Sequence, residues 1–173
     1  LLPHPQLLLK KVSGGVYVYE NRGALSRAFV VGQVQAVESP SAALQEMSNP
    51  FDPERMAFVQ APVSHFSGLS ADVEMRAYEA ERVEMYTELS APGLLVLSDT
   101  WYPGWVAEVN GKAVEIHRAN SVFRGVFLEA GQNEVVMRYR PWWGWTLWLW
   151  GLGWTVMAGI LLISVWRRRT EAA

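Results

Sequence analysis

The sequence predicts a mainly β chain: an antiparallel β-sandwich with one short helix in its N-terminal half, followed by one C-terminal transmembrane helix. Three observations predict it. Through the middle of the chain apolar and polar residues alternate at period two, the spacing that buries one face of a strand. Short turn signals, Asn110-Gly111 foremost, separate these runs. From Pro141 to Trp166 there is no charged residue, which suits a membrane span.

Val16 to Tyr19 is β-branched and aromatic, and Asn21-Arg22-Gly23 separates it from a second strand-like run, Arg27 to Val37, so a hairpin is expected there. Ser39-Pro40-Ser41 offers an N-cap with proline in the first turn. Ala42, Ala43, Leu44 and Met47 follow at helical spacing until Asn49-Pro50 stops the helix. Asp52-Pro53-Glu54-Arg55 repeats the start signal for one turn before Phe58-Val59. Val73, Met75 and Ala77, then Val83, Met85, Thr87 and Leu89, mark half-buried strands, whereas Leu94 to Leu97 is uniformly apolar and suits a strand buried on both faces. Asn110-Gly111 between Val106–Val109 and Lys112–His117 predicts a hairpin with a type I′ turn, because that turn needs positive φ at both central positions. Val122 to Leu128 and Glu134 to Tyr139, around Ala130-Gly131-Gln132, predict another hairpin. Strands at this spacing point to a sandwich.

The chain has 173 residues, half of them hydrophobic but only 18% charged, with nine tryptophans. That is enough for one domain with an appendage. The expected division is a sandwich domain over 1–140, a span over 141–166 and a basic tail over 167–173. As a helix the uncharged run would be about 39 Å long, more than a bilayer core requires. Seven of the nine tryptophans lie at or after Trp142. Trp142, Trp143, Trp145 and Trp166 at the two ends, with Arg167, Arg168 and Arg169 beyond, have the pattern of a membrane interface with the arginines on the cytoplasmic side. The lipid bilayer is thus the first expected partner.

Without the tail's three arginines and Glu171, the totals of 15 basic and 17 acidic residues fall to 12 and 16, a balance of −4. No nucleic-acid partner is expected of such a surface. The absence of cysteine excludes disulfides, thiolate catalysis and cysteine-based zinc sites. The opening Leu1-Leu2-Pro3-His4-Pro5 has neither an initiator methionine nor a signal-peptide layout, and reads as part of something longer.

No phosphate-binding glycine loop, nucleophile elbow or zinc-binding His-Glu-x-x-His occurs, and His4, His65 and His117 lack ligand spacing. No cofactor is called for. The conspicuous cluster is Leu97-Ser98-Asp99-Thr100-Trp101-Tyr102-Pro103-Gly104-Trp105. On one reading it is a glycan platform, with Trp101 and Tyr102 stacking on sugar rings and Asp99 accepting from hydroxyls. On the other it is a structural corner, in which Trp105 and Tyr102 plug the sandwich, Trp105 more deeply than Trp101. Arg118, Asn120 and Arg124 carry the same two readings, and Arg124 would pair with Asp99 if their loops meet.

Ser98 to Trp105, Val109-Asn110-Gly111-Lys112, Arg118-Ala119-Asn120, Phe123-Arg124-Gly125-Val126 and Ala130-Gly131 together resemble, in order and spacing, the C-terminal region of YfhO-like bacterial membrane proteins. Asn21 to Phe29 and Asn49 to Arg55 extend the resemblance, with Ser26 where proline is expected. It implies a large polytopic protein similar to GT-C-type glycosyltransferases, which use a polyprenyl-phosphate-linked sugar at the outer side of the membrane. The acidic catalytic residue of such enzymes is expected in an early loop, and no position here matches it. The resemblance therefore implies a non-catalytic, extracytoplasmic accessory domain in the bacterial cell membrane. Its partners would be the parent's remaining transmembrane helices, with a glycan or polyprenyl-linked sugar as ligand. A free-standing anchored module that binds cell-surface glycan or a partner protein is the alternative. A third reading is a hydrolase using Asp99 and Glu108, whose separation the sequence leaves open.

Overall fold

The computed structural model describes residues 7–63, 71–141 and 148–160. Two sheets pack face to face. One has five strands in the order β10-β9-β13-β7-β6: β6 is Glu74–Tyr78, β7 Arg82–Leu89, β9 Trp105–Val109, β10 Lys112–Val114 and β13 Gly131–Tyr139. The other has six in the order β3-β8-β12-β11-β5-β4: β3 is Ala28–Val31, β4 Gln33–Ala36, β5 Met56–Val59, β8 Gly93–Thr100, β11 His117–Ala119 and β12 Phe123–Leu128. The alternating apolar positions interdigitate between them. Val83, Met85, Val135 and Met137 come from the first sheet and Val30, Leu95, Leu97 and Val126 from the second, all buried in one cluster.

The run Leu94–Leu97 is buried on both faces, as its uniform apolarity predicts, since Leu94 and Val96 point away from the sandwich into a second cluster with Val31, Ala57, Val59 and Ala119. Half-buried Phe29, Val34, Phe123 and Phe127 pack against that outer cluster. The helix α1, Pro40–Met47, is capped as the sequence predicts: the Ala42 N–H donates to the Ser39 hydroxyl at 3.1 Å, with proline in the first turn.

The sheets are not wholly antiparallel. β4 and β5 pair in parallel, with α1 in the connection between them. A parallel pair cannot be joined by a tight turn, and this helical crossover meets the need. The hairpin expected between Val16–Tyr19 and Arg27–Val37 is also corrected. β2, Val16–Asn21, pairs instead with β1, Leu7–Ser13, and every residue of both strands is exposed. Arg27–Val37 is divided at Gly32, with β3 at one edge of the six-stranded sheet and β4 at the other. The second expected hairpin is an arch. β12 and β13 follow each other closely yet lie in different sheets, because β12 pairs with β8 whereas β13 pairs with β7 and β9. The Asn110-Gly111 hairpin forms as predicted, with φ of 51° and 75° at the two turn residues.

Of the 26 positions of the span expected over 141–166, twelve, 142–147 and 161–166, fall outside the described residues, and Trp142, Trp143, Trp145, Trp166 and Arg167 to Arg169 lie outside them too. Within it a second helix, α2, covers 148–160, where Trp148, Trp150, Leu152, Trp154 and Ile160 are all exposed. Among the described residues no helix is long and apolar enough to cross a membrane.

Candidate functional site

β8 continues past its buried stretch and loses regular pairing at its end. Phe123 lies opposite Thr100 but Arg124 lies opposite Leu97, so Ser98 and Asp99 form a bulge. Bulges redirect side chains, and here the carboxylate of Asp99 meets three others. The Arg27 guanidinium donates to Asp99 Oδ1 at 2.8 Å, and the Tyr78 hydroxyl lies 3.2 Å from each carboxylate oxygen. Arg27 also donates to the Tyr78 hydroxyl and lies over its ring, 4.6 Å from the centroid.

Arg124 approaches the same carboxylate from β12, as its sequence neighbourhood suggests, but less closely: its Nη2 is 4.0 Å from Asp99 Oδ2, beyond hydrogen-bond distance. Its Nε donates to the Thr100 carbonyl at 3.1 Å, and the guanidinium stacks on Trp105, 3.7 Å from the ring centroid. The residue is 6% exposed, and its Nη1 is buried with no hydrogen-bond partner. Burial lowers its pKa, against the raising effect of Asp99 and Tyr78. Tyr78, Glu79, Asp99, Thr100, Trp105 and Arg124 line an open cleft of about 380 Å³.

The other candidates lie elsewhere. Trp101 and Arg118 line a separate cleft of about 290 Å³, with the guanidinium 4.4 Å from the indole centroid and the Trp101 Nε1–H donating to the Ile116 carbonyl at 3.2 Å. Tyr102 is 60% exposed and 6.4 Å from the Tyr139 ring. Asn120 is buried, and its Oδ1 accepts the Phe58 N–H at 2.9 Å, so its polar end is occupied in holding β5. Trp101 and Trp105 are both half-buried, so exposure does not distinguish them as expected. Their contacts do: Trp105 packs on the main core. Trp101→Ala should accordingly leave the fold intact, costing about 1–2 kcal/mol for one hydrogen bond and one cation–π contact. Thermal denaturation of the variant followed by circular dichroism checks this, and global unfolding would contradict it.

Tyr78 and Arg27 complete the Asp99 cluster but were not legible as site residues. The only signal was a tyrosine at an outward position of a period-two strand, which is common. For hydrolysis the arrangement offers little. Glu108 is tied to Arg138 at 3.1 Å and Asp99 to Arg27, so each carboxylate is committed to a cation. Among the described residues no group of histidine, aspartate or glutamate is placed to hold a metal.

One family pattern, described as bacterial membrane protein YfhO, matches residues 42–148, more than half of the chain. The chain belongs to the YfhO family. It is therefore membrane-associated, and the match takes in the whole five-stranded sheet, the Asp99–Arg124 bulge and the start of α2. Arg27 and the β1–β2 hairpin lie outside it. No curated protein and no solved structure matches the chain.

Proposed function

We propose that the chain is a non-catalytic accessory domain and membrane anchor of a polytopic YfhO protein, a GT-C-type glycosyltransferase that uses a polyprenyl-phosphate-linked sugar. The sandwich would lie outside the cell membrane and the C terminus inside. The observation that carries this reading is the reach of the family match, from α1 through the five-stranded sheet to residue 148. There an exposed, tryptophan-rich helix begins. The pairing of Asp99 and Glu108 with separate arginines supports the non-catalytic part, since a bond-breaking site needs an acid and a base free to exchange protons. The second reading, an anchored module for cell-surface glycan or a partner protein, is favoured by the aromatic and charged lining of the two clefts.

The chain contains no cysteine, so Lys112→Cys and Ala172→Cys each introduce a single thiol. In intact cells an impermeant thiol reagent should label the first and not the second. Labelling of Ala172→Cys alone would invert the topology. Turnover of a polyprenyl-linked sugar by the purified chain, lost in Asp99→Asn, would overturn the non-catalytic role.

A further inference from the structure

We infer that the cleft beside Arg124 is a binding site for a compact oxyanion, a carboxylate or phosphate group carried by a small ligand. Two arginines converge on one carboxylate. Arg27 is within 2.8 Å of Asp99 and, with the Tyr78 hydroxyl, occupies it. Arg124 at 4.0 Å is the surplus cation. A guanidinium has five N–H donors, and among the described residues only Nε of Arg124 is in a hydrogen bond.

A buried, under-satisfied guanidinium is costly, and no simple rearrangement of this cluster relieves it. Moving Asp99 closer would strip Arg27 and Tyr78 of their acceptor, while stacking on Trp105 fixes the guanidinium plane. An oxyanion that entered from the cleft and displaced the side chains that close Nη1 from solvent would meet the unpaired edge of the fork, where two parallel N–H donors match the spacing of carboxylate or phosphate oxygens. The cleft that Arg124 lines, about 380 Å³, has room for such a group and a small carrier. Glu79 also lines it, but as an exposed side chain whose charge is screened. The inference stands whether or not the parent protein transfers a sugar.

The test is calorimetric titration of the whole chain in detergent micelles with glucuronate, inorganic phosphate and neutral glucose. Glucuronate, phosphate or both should bind with a Kd of about 1 mM or tighter, and glucose should not. Whichever anion binds identifies the group recognised. Arg124→Lys, which keeps the charge but loses the fork, should weaken binding by about tenfold or more. Because a change at a buried arginine can unfold the domain, Asp99→Asn supplies an independent arm. Removing the competing carboxylate should tighten binding, whereas damage to the site would weaken it. No binding of either anion, equal binding of glucose, or weaker binding in a folded Asp99→Asn variant would overturn the inference. The thiol-labelling outcome is unaffected by any of these results.

Discussion

Trp105→Ala is expected to lower the stability of the sandwich by about 3 kcal/mol or more. The indole opens β9 and packs against the main core cluster, 5.6 Å from the Tyr139 ring, while Arg124 covers its face. Truncation removes apolar burial and a cation–π contact worth about 2 kcal/mol when desolvated. It also leaves the Arg124 guanidinium facing a void with even fewer partners. Against a total of about 5–15 kcal/mol for a domain, the variant would be close to unfolding at physiological temperature. Chemical denaturation of the whole chain in mild detergent, followed by circular dichroism, measures the difference. A loss below about 1 kcal/mol would show that Trp105 is not a core element.

Asn120→Ala is expected to cost about 2–4 kcal/mol, although the residue lies in a loop. Two separate contributions add. The side-chain oxygen is the acceptor for the buried Phe58 N–H, which alanine would leave without a partner. The backbone also sits at a φ of 46°, a left-handed conformation that asparagine tolerates better than alanine. The two parts can be separated, because Asn120→Gly removes the acceptor but relieves the backbone. Asn120→Gly should therefore be more stable than Asn120→Ala and less stable than the natural chain. If both variants melt with the natural chain, Asn120 does not hold β5 in place.

Local patterns predicted local structure well here. Ser39-Pro40, Asn110-Gly111 and the run Leu94–Leu97 each act over a few residues, and each formed the element its chemistry requires. Pairing partners were less legible. The turn at Ala130-Gly131 has the composition of a hairpin loop, yet it carries the chain from one sheet to the other. That choice is made by β8 and β7, which flank β12 and β13 and lie far from the turn in sequence, although their ends, Gly93 and Leu89, pair with Leu128 and Gly131 beside it. The parallel β4–β5 pair was hidden for the same reason. At the candidate site the Asp99–Arg124 encounter was foreseeable as a condition. Arg27 lies 72 residues from Asp99 and Tyr78 lies 21, and only the fold joins them. Asn120 shows the opposite error: a polar residue in a loop looks available to a ligand until burial and a backbone donor claim it.

The Gly104 corner ties the end of β13 to the start of β9. The Arg140 N–H donates to the Gly104 carbonyl at 2.6 Å, and a β-carbon at Gly104, whose φ is 102°, would lie 2.9 Å from the Tyr139 ring. The chain toward α2 thus leaves the domain from an interior strand, paired with β7 from Gly131 to Arg138 and with β9 from Val135 to Tyr139. The inter-strand hydrogen bonds run across the strand direction. A pull along β13 from its α2 end therefore loads the bonds on both flanks together, in shear, whereas the same pull on an edge strand such as β10 or β6 could open its single ladder one bond at a time. Attached in this way, the sandwich resists being unzipped by a pull that reaches it through the chain after β13.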